Sequence, residues 1–115
     1  MDKLPLDIEA LPGKTDDQVV LSLKGPVTLS TVFAFQEQIR GEKSPVVILD
    51  MSSVPYVDSA GLGAIIGAHV TCTNSGRKFA LAAVPDRVHT MFTMARVDNI
   101  LKVFPSVEDA QQKLA

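Results

Sequence analysis

One stretch of the sequence constrains the fold more than any other. It consists of an unbroken apolar run, a group of polar residues and a second apolar segment. Residues 46–49 read Val-Val-Ile-Leu, and a β-branched run of this kind predicts a strand buried on both faces. Polar residues and Pro55 interrupt the chain after Asp50, which is typical of a loop. Asp58-Ser59 then directly precedes an apolar-periodic segment. The stretch therefore predicts a strand–loop–helix unit with Ser59 at the helix N-terminus.

The second apolar segment has helical spacing, which predicts one buried helix face. That face contains Leu62, Ile65, Ile66, His69 and Val70.

Upstream of this unit, the sequence predicts a hairpin and a helix. Apolar and polar residues alternate around Ile8 and around Leu21, which predicts two antiparallel strands. A helix follows, with Thr28 or Ser30 as its cap. Its apolar face, widened by Phe35, comprises Leu29, Val32, Phe33, Gln36 and Ile39.

Downstream, the pattern continues with strands and helices in alternation. Residues 79–84 form an apolar run bounded by Lys78 and Pro85, which predicts another buried strand. A third helix, a short strand over 100–104 and a helix capped by Ser106 complete the series. The apolar positions of the third helix are Val88, Met91, Phe92 and Ala95, and those of the last helix are Val107, Ala110 and Leu114.

The resulting order, β-β-α-β-α-β-α-β-α, predicts an α/β fold. Alternating units of this kind require a mostly parallel sheet with right-handed crossovers. We expect a mixed sheet of four to five strands, with about four helices mostly on one face. A length of 115 residues predicts one domain over 1–115, with its core at about 6–114.

Composition excludes several function classes. A net charge of −2 with no basic run longer than Arg77-Lys78 argues against nucleic-acid binding. The lone cysteine, Cys72, cannot form an internal disulfide, which fits a reducing compartment. Met1–Pro5 has no signal-peptide core, and no apolar run is long enough to span a membrane. We expect a soluble cytoplasmic protein that binds neither membrane nor nucleic acid.

Two catalytic or cofactor interpretations of the Ser59 stretch are weak. A hydrolase elbow requires glycine on both sides of the serine, but position 57 is Val. His69 lies ten residues along the same helix, about 15 Å away, and cannot activate Ser59. The glycines at 61, 63 and 67 loosely match a dinucleotide fingerprint, but they do not directly follow the strand. We predict no cofactor and no catalytic residue.

Two further interpretations remain open from the residues alone. The glycines could simply allow close helix packing, with Ser59 as a cap. Alternatively, Ser59 could be phosphorylated, because a helix N-terminus stabilises added negative charge. A partner packed against Ala60, Leu62 and Gly63 would then face a buried charge and dissociate.

Two other side chains lie at metal-ligand spacing. His69 and Cys72 are three residues apart on one helix. No further ligand is near in the sequence, so a structural role is favoured and no metal site is predicted.

The segment Asp58-Ser59-Ala60-Gly61-Leu62-Gly63 resembles the D-S-[SA]-G-L-G signature of bacterial anti-sigma factor antagonists. These are single-domain members of the STAS (sulfate transporter and anti-sigma factor antagonist) superfamily. The resemblance extends over the whole chain. It includes the strand at 46–50, the Gly76–Leu81 segment and the C-terminal helix–strand–helix pattern.

The resemblance implies that Ser59 is phosphorylated by an anti-sigma factor with serine-kinase activity. The unmodified protein would bind that kinase and release a sigma factor, and a Mg/Mn-dependent phosphatase would restore it. The chain would be a substrate rather than an enzyme. Its partner-binding residues would be Asp58, Ser59, Ala60, Gly61, Leu62 and Gly63, together with Thr28 and Tyr56. The alternative is a STAS interaction or ligand-binding module of a larger signalling or transport assembly, without phosphorylation.

The chain departs from the family pattern at two positions. Thr28 stands in the loop after the second strand, where many relatives have an acidic residue. Arg96 replaces a glycine that is common at the end of the third helix.

Overall fold

The computed structural model describes residues 4–115, and it contains a five-stranded mixed sheet with four helices. Residues 1–3, which the predicted domain includes, lie outside the described part. The strands are β1 (Asp7–Pro12), β2 (Gln18–Lys24), β3 (Val46–Ser53), β4 (Lys78–Ala82) and β5 (Val103–Phe104). The helices are α1 (Val32–Gly41), α2 (Ser59–Asn74), α3 (Asp86–Met94) and α4 (Val107–Lys113). The predicted fold class and element order are confirmed.

The strands lie in the order β1-β2-β3-β4-β5. β1 pairs with β2 in antiparallel fashion, as predicted for a hairpin, with Ile8 opposite Leu23. The other three pairings are parallel, and β3 is central, with Ile48 opposite Val20 on one side and Ala80 on the other. Because α1 and α2 each connect neighbouring parallel strands, both helices begin at the same edge of the sheet.

The helices pack on both faces of the sheet, and three of the four described helices share one face. The larger core joins one face of the sheet to α1, α2 and α3, with Phe35, Ile65 and Phe92 fully buried. The smaller core joins the other face to α4 through Ala110 and Leu114. The helices are therefore mostly on one face, as predicted, and the α4 stripe is confirmed.

The buried face of α2 differs from the predicted one. Leu62 and Ile65 are buried as expected, but Val70 is 46% exposed, and Ile66 and His69 are only half-buried. Small side chains take most of the inward positions, and Gly61 lets the helix approach the Val27 backbone closely. The buried residues are Gly61, Leu62, Ala64, Ile65, Ala68 and Cys72.

The start of α1 also differs from the sequence prediction, both in its N-cap and in its buried face. The N-cap is Thr31 rather than Thr28 or Ser30, and its side chain makes no cap hydrogen bond. Leu29 precedes the helix and is 74% exposed, while Phe33 is 70% exposed. Phe35 and Ile39 are the buried residues of α1, and Gln36 is exposed. Burial of Phe35 turns Phe33 outward, since two positions along a helix correspond to about 200° of rotation.

Two other predicted segments are shorter than expected. The strand predicted over 79–84 ends at Ala82, and Ala83 has a positive φ of 55°. The strand predicted over 100–104 is reduced to two residues. The third helix buries Val88 and Phe92 but leaves Ala95 exposed, because Ala95 is already its C-cap. Arg96, which stands where the resemblance places a glycine, has a φ of 61°. This is a left-handed conformation that glycine adopts without strain.

Candidate functional site

Ser59 is the first residue of α2, and it is exposed. The cap is its neighbour Asp58, which has an extended backbone with φ −95° and ψ −175°. The prediction that Ser59 lies at the start of the helix is therefore confirmed, while the interpretation that Ser59 itself is the cap is wrong. The hydroxyl group of the exposed Ser59 is therefore not used to cap the helix.

The Asp58 carboxylate joins the two loops that form the site. Its Oδ1 accepts a hydrogen bond from the Gly61 amide at 2.8 Å, which caps α2. Its Oδ2 accepts from the Leu29 amide at 3.1 Å, in the loop between β2 and α1. Each carboxylate oxygen thus accepts a backbone hydrogen bond, so Asp58 holds the loop before α1 and the first turn of α2 together beside Ser59.

Backbone contacts reinforce the same junction. The Val27 amide donates to the Tyr56 carbonyl at 3.2 Å, and the Asp58 amide donates to the Val27 carbonyl at 3.2 Å. These bonds form an isolated parallel bridge between Val27 and Val57. Thr28 lies in this loop, which Thr31 closes by donating from Oγ1 to the Pro26 carbonyl at 2.8 Å. The loop before α2 is therefore held rigidly against the loop before α1.

Gly61 is required at its position for a steric reason. A Cβ atom added there would lie 1.9 Å from the Val27 carbonyl oxygen. Gly63 and Gly67 are different, since an added Cβ would meet nothing within 4 Å. The interpretation that glycines serve close packing is therefore confirmed for Gly61 and wrong, within the described chain, for Gly63 and Gly67.

The predicted partner-binding residues fall into three groups by exposure. Ser59 and Gly63 are exposed, and Tyr56 is 38% exposed. Asp58, Ala60 and Thr28 are half-buried. Gly61 and Leu62 are buried. The structure thus brings all eight to one end of the sheet, with the buried pair beneath the exposed residues.

The geometry does not support either catalytic alternative. Within residues 4–115, the Ser59 hydroxyl makes no hydrogen bond to a side-chain base, and His89 belongs to α3. The glycines at 61, 63 and 67 lie inside α2 and form no loop that could surround a phosphate. An activated serine nucleophile and a dinucleotide loop therefore both lack their required geometry here.

His69 and Cys72 both belong to the packing of α2. His69 lies edge-on to Phe79, with ring centroids 6.2 Å apart. Burial raises the pKa of the Cys72 thiol, an effect partly offset by the Arg77 guanidinium. Among the described residues, no three His, Cys, Asp or Glu side chains cluster as metal ligands would.

Sequence reasoning missed the two exposed apolar side chains beside the site. The helical spacing predicts Leu29 and Phe33 on a buried face, yet both are exposed, and the Leu29 amide binds Asp58. The available signal was that the apolar residues at 32, 33, 35 and 39 spread over about 160° of the helix circumference. A helix lying on a sheet can bury only part of its circumference.

None of the helices within residues 4–115 combines the length and the apolar character needed to cross a bilayer.

Comparisons with known proteins agree with this architecture. The family model of the STAS domain matches residues 10–110. A relative from Thermotoga maritima, provisionally named an anti-sigma factor antagonist, is 23% identical over 103 residues, covering 86% of this chain and 91% of the relative.

Two solved structures show the same fold. The crystal structure of an anti-sigma factor antagonist from Mycobacterium paratuberculosis has a TM-score of 0.80 at 20% identity, covering 94% of each chain. The murine Solute Carrier 26 family member A9 anion transporter has a TM-score of 0.76 at 22% identity, covering 85% of this chain but 18% of the transporter. The family match over residues 10–110, together with this fold, shows that the chain belongs to the STAS domain family.

Proposed function

We propose that this protein is an anti-sigma factor antagonist controlled by phosphorylation of Ser59. In its unmodified form it binds an anti-sigma factor with serine-kinase activity, which releases a sigma factor. Phosphorylation by that kinase ends the binding, and a Mg/Mn-dependent phosphatase restores it. The observation that carries this proposal is the exposed Ser59 hydroxyl at the first position of α2, within the Asp58–Gly63 signature.

The helix N-terminus favours a phosphate on Ser59. The first amides of an α-helix have no acceptor within the helix. Asp58 Oδ1 binds the amide of Gly61, which leaves the amides of Ser59 and Ala60 nearest to the phosphate position. Phosphoserine carries roughly −1.5 to −2 charges, which the positive end of the helix dipole stabilises. The fold therefore tolerates the modification.

The same phosphate is incompatible with a closely packed partner. Ser59 and Gly63 are exposed and one helical turn apart, so a protein that covers one also covers the other. Burying an unpaired phosphate beneath that partner costs several kcal/mol. Because each 1.4 kcal/mol changes affinity about tenfold, binding falls by roughly 100-fold or more.

In this proposal the chain is a phosphoryl acceptor and a binding module, and not an enzyme. The kinase holds ATP and transfers its γ-phosphoryl group to the Ser59 oxygen, while the hydroxyl proton passes to a base on the kinase. Asp58 caps α2 and binds the Leu29 amide, which fixes the backbone beside Ser59 for this transfer. Function in bacterial transcription control, in the cytoplasm, follows from this proposal.

The direct test is phosphate transfer followed by mass spectrometry. Incubation with the anti-sigma factor kinases of the same genome and ATP is expected to place one phosphate on Ser59. Ser59→Ala abolishes the transfer, whereas Ser30→Ala, at an exposed serine of the neighbouring loop, leaves it unchanged. Transfer that persists in Ser59→Ala, or no transfer by any of these kinases, would contradict the proposal.

A second candidate function is favoured by the likeness to the murine anion transporter, of which the matched region makes up 18%. Here the domain would be an interaction or ligand-binding module of a larger signalling or transport assembly, without phosphorylation. Recovery of the untreated protein from cells in a stable complex, with Ser59 unmodified under all growth conditions, favours this candidate over the first.

A further inference from the structure

An open cavity of about 670 Å³ lies at the edge of the sheet where β2 and β3 end and α3 begins. Small molecules that bind to open α/β sheets lie outside the carboxyl ends of the strands, which is where this cavity is. None of its lining residues belongs to the Asp58–Gly63 segment. The cavity is therefore separate from the proposed phosphorylation site.

The walls of the cavity are mainly apolar, and prolines form much of them. Each proline has a fixed backbone angle, a carbon ring and no N–H group. Val54, which is 1% exposed, is a further apolar lining residue. Such walls offer apolar contact but few backbone hydrogen-bond donors. Four of the seven prolines of the chain line the cavity, and they are Pro5, Pro26, Pro55 and Pro85.

Backbone contacts hold these walls in place. The Gly25 amide donates to the Ser53 carbonyl at 3.1 Å, which joins the chain after β2 to the end of β3. Gly25 has a φ of 127°, and a Cβ atom added to it would lie 2.2 Å from the Pro5 carbonyl oxygen. The segment before β1 therefore lies directly on Gly25. Since the walls are already ordered, a ligand loses little free energy in arranging them.

Among the described residues, Arg87 is the one charged side chain that lines the cavity. It is exposed in the first turn of α3, and within residues 4–115 its guanidinium forms no ion pair. Its neighbour Asp86 lines a different cavity, beside β5. A guanidinium group binds a carboxylate through two parallel N–H···O bonds. The cavity thus combines one unneutralised positive charge with apolar walls.

We propose that this cavity binds a small monocarboxylate with an apolar body, such as an aryl or branched alkyl carboxylate. The carboxylate lies on Arg87, and the apolar body packs against the prolines. A sugar or a nucleotide would place many polar groups against walls that cannot form hydrogen bonds with them. The proposal does not depend on phosphorylation of Ser59, because it requires no kinase.

The first test is an NMR titration of the full chain with four probes. Benzoate and 2-naphthoate share a carboxylate and differ in apolar area, benzyl alcohol keeps the ring of benzoate without the charge, and inorganic phosphate keeps the charge without a ring. The amide signals of Gly25 and Ser53 report binding, and those of α4, on the other face of the sheet, are the control. We expect saturable shifts with both carboxylates, tighter binding of 2-naphthoate and no saturation with phosphate.

The second test removes the charge. Arg87→Gln is expected to weaken benzoate binding by at least about tenfold, because it removes the charge-assisted hydrogen bonds. Arg40→Gln is the matched control, since Arg40 is also exposed and helical but does not line this cavity, and it should bind benzoate as the wild type does. A thermal melt of each variant shows that it is folded. If Arg87→Gln fails to fold, the comparison of benzoate with benzyl alcohol on the wild type still tests the role of the charge.

Several results would overturn the proposal. Benzyl alcohol that binds as tightly as benzoate, or unchanged benzoate binding by Arg87→Gln, would show that the cavity does not recognise a carboxylate. Saturable phosphate binding at the same signals would assign the cavity to inorganic anions instead. Shifts of these signals with protein concentration alone would assign it to a second copy of the chain. No saturable shift with either carboxylate would exclude the site altogether.

Discussion

The two faces of α2 follow different constraints. On its inward face, Gly61 lies against the Val27 carbonyl, and Ile65 and Cys72 are fully buried. On its outward face, Ser59 and Gly63 contact little within the described chain. The same helix thus carries one glycine that its own fold requires and another that the fold does not require. This difference separates residues that the fold requires from residues that are available for a partner.

The largest expected effect is on the inward face. Gly61→Ala places a methyl group 1.9 Å from the Val27 oxygen, so the two loops must separate. We expect a loss of more than about 3 kcal/mol in the free energy of unfolding, as for severe overpacking. Urea denaturation measures it. A loss below about 1 kcal/mol would show that the junction is not rigid.

Removing the Asp58 carboxylate has the next largest effect. Asp58→Ala removes the acceptor of the Gly61 and Leu29 amides, and we expect a loss of about 1–2 kcal/mol in unfolding free energy. Asp58→Asn, which keeps one acceptor oxygen, is the control and should lose less. Equal losses in the two variants would show that the cap is not the source of the stability.

Gly63→Ala tests the outward face with the same chemical change as Gly61→Ala. The added methyl group meets nothing within 4 Å, so only helix propensity changes. We expect a gain of about 0.5–1 kcal/mol in unfolding free energy, measured by the same urea denaturation. Destabilisation would mean that Gly63 serves the fold as Gly61 does.

The smallest effect is expected for a negative charge at Ser59. Ser59→Asp should change the unfolding free energy by no more than about 0.5 kcal/mol, because the N-terminus of α2 stabilises the charge. Asn74→Asp, which adds the same charge at the exposed last residue of α2 with almost no change in shape, should be destabilising, since the charge meets the negative end of the dipole. Thermal melts compare the two, and equal losses would contradict the dipole argument.

The element order and the place of Ser59 could be predicted from the sequence because local patterns determine them. The β-branched run at 46–49 is buried on both faces, and its partner strands are equally apolar. Asp58-Ser59 before an apolar segment correctly placed the start of α2. The expected cap, Ser59, was wrong, because the carboxylate of the preceding Asp58 caps the helix instead.

The orientation of the helices could not be predicted in the same way. Hydrophobicity favoured Val70 and Phe33 as buried, yet both are exposed, while the small residues Ala64 and Ala68 face inward. Close approach between helix and sheet depends on side-chain volume across several elements, which a single helical pattern does not contain. The contact between Leu29 and Asp58 joins residues 29 positions apart, and no local pattern reveals it.

The central claim is that a phosphate on Ser59 blocks a partner without unfolding the protein. The most direct measurement is the affinity of the anti-sigma factor kinase for the unmodified and the Ser59-phosphorylated protein, with a thermal melt of each form. We predict that phosphorylation weakens binding by roughly 100-fold or more while the melting temperature stays nearly constant. Equal affinities for the two forms, or a loss of binding that is accompanied by unfolding, would contradict the account.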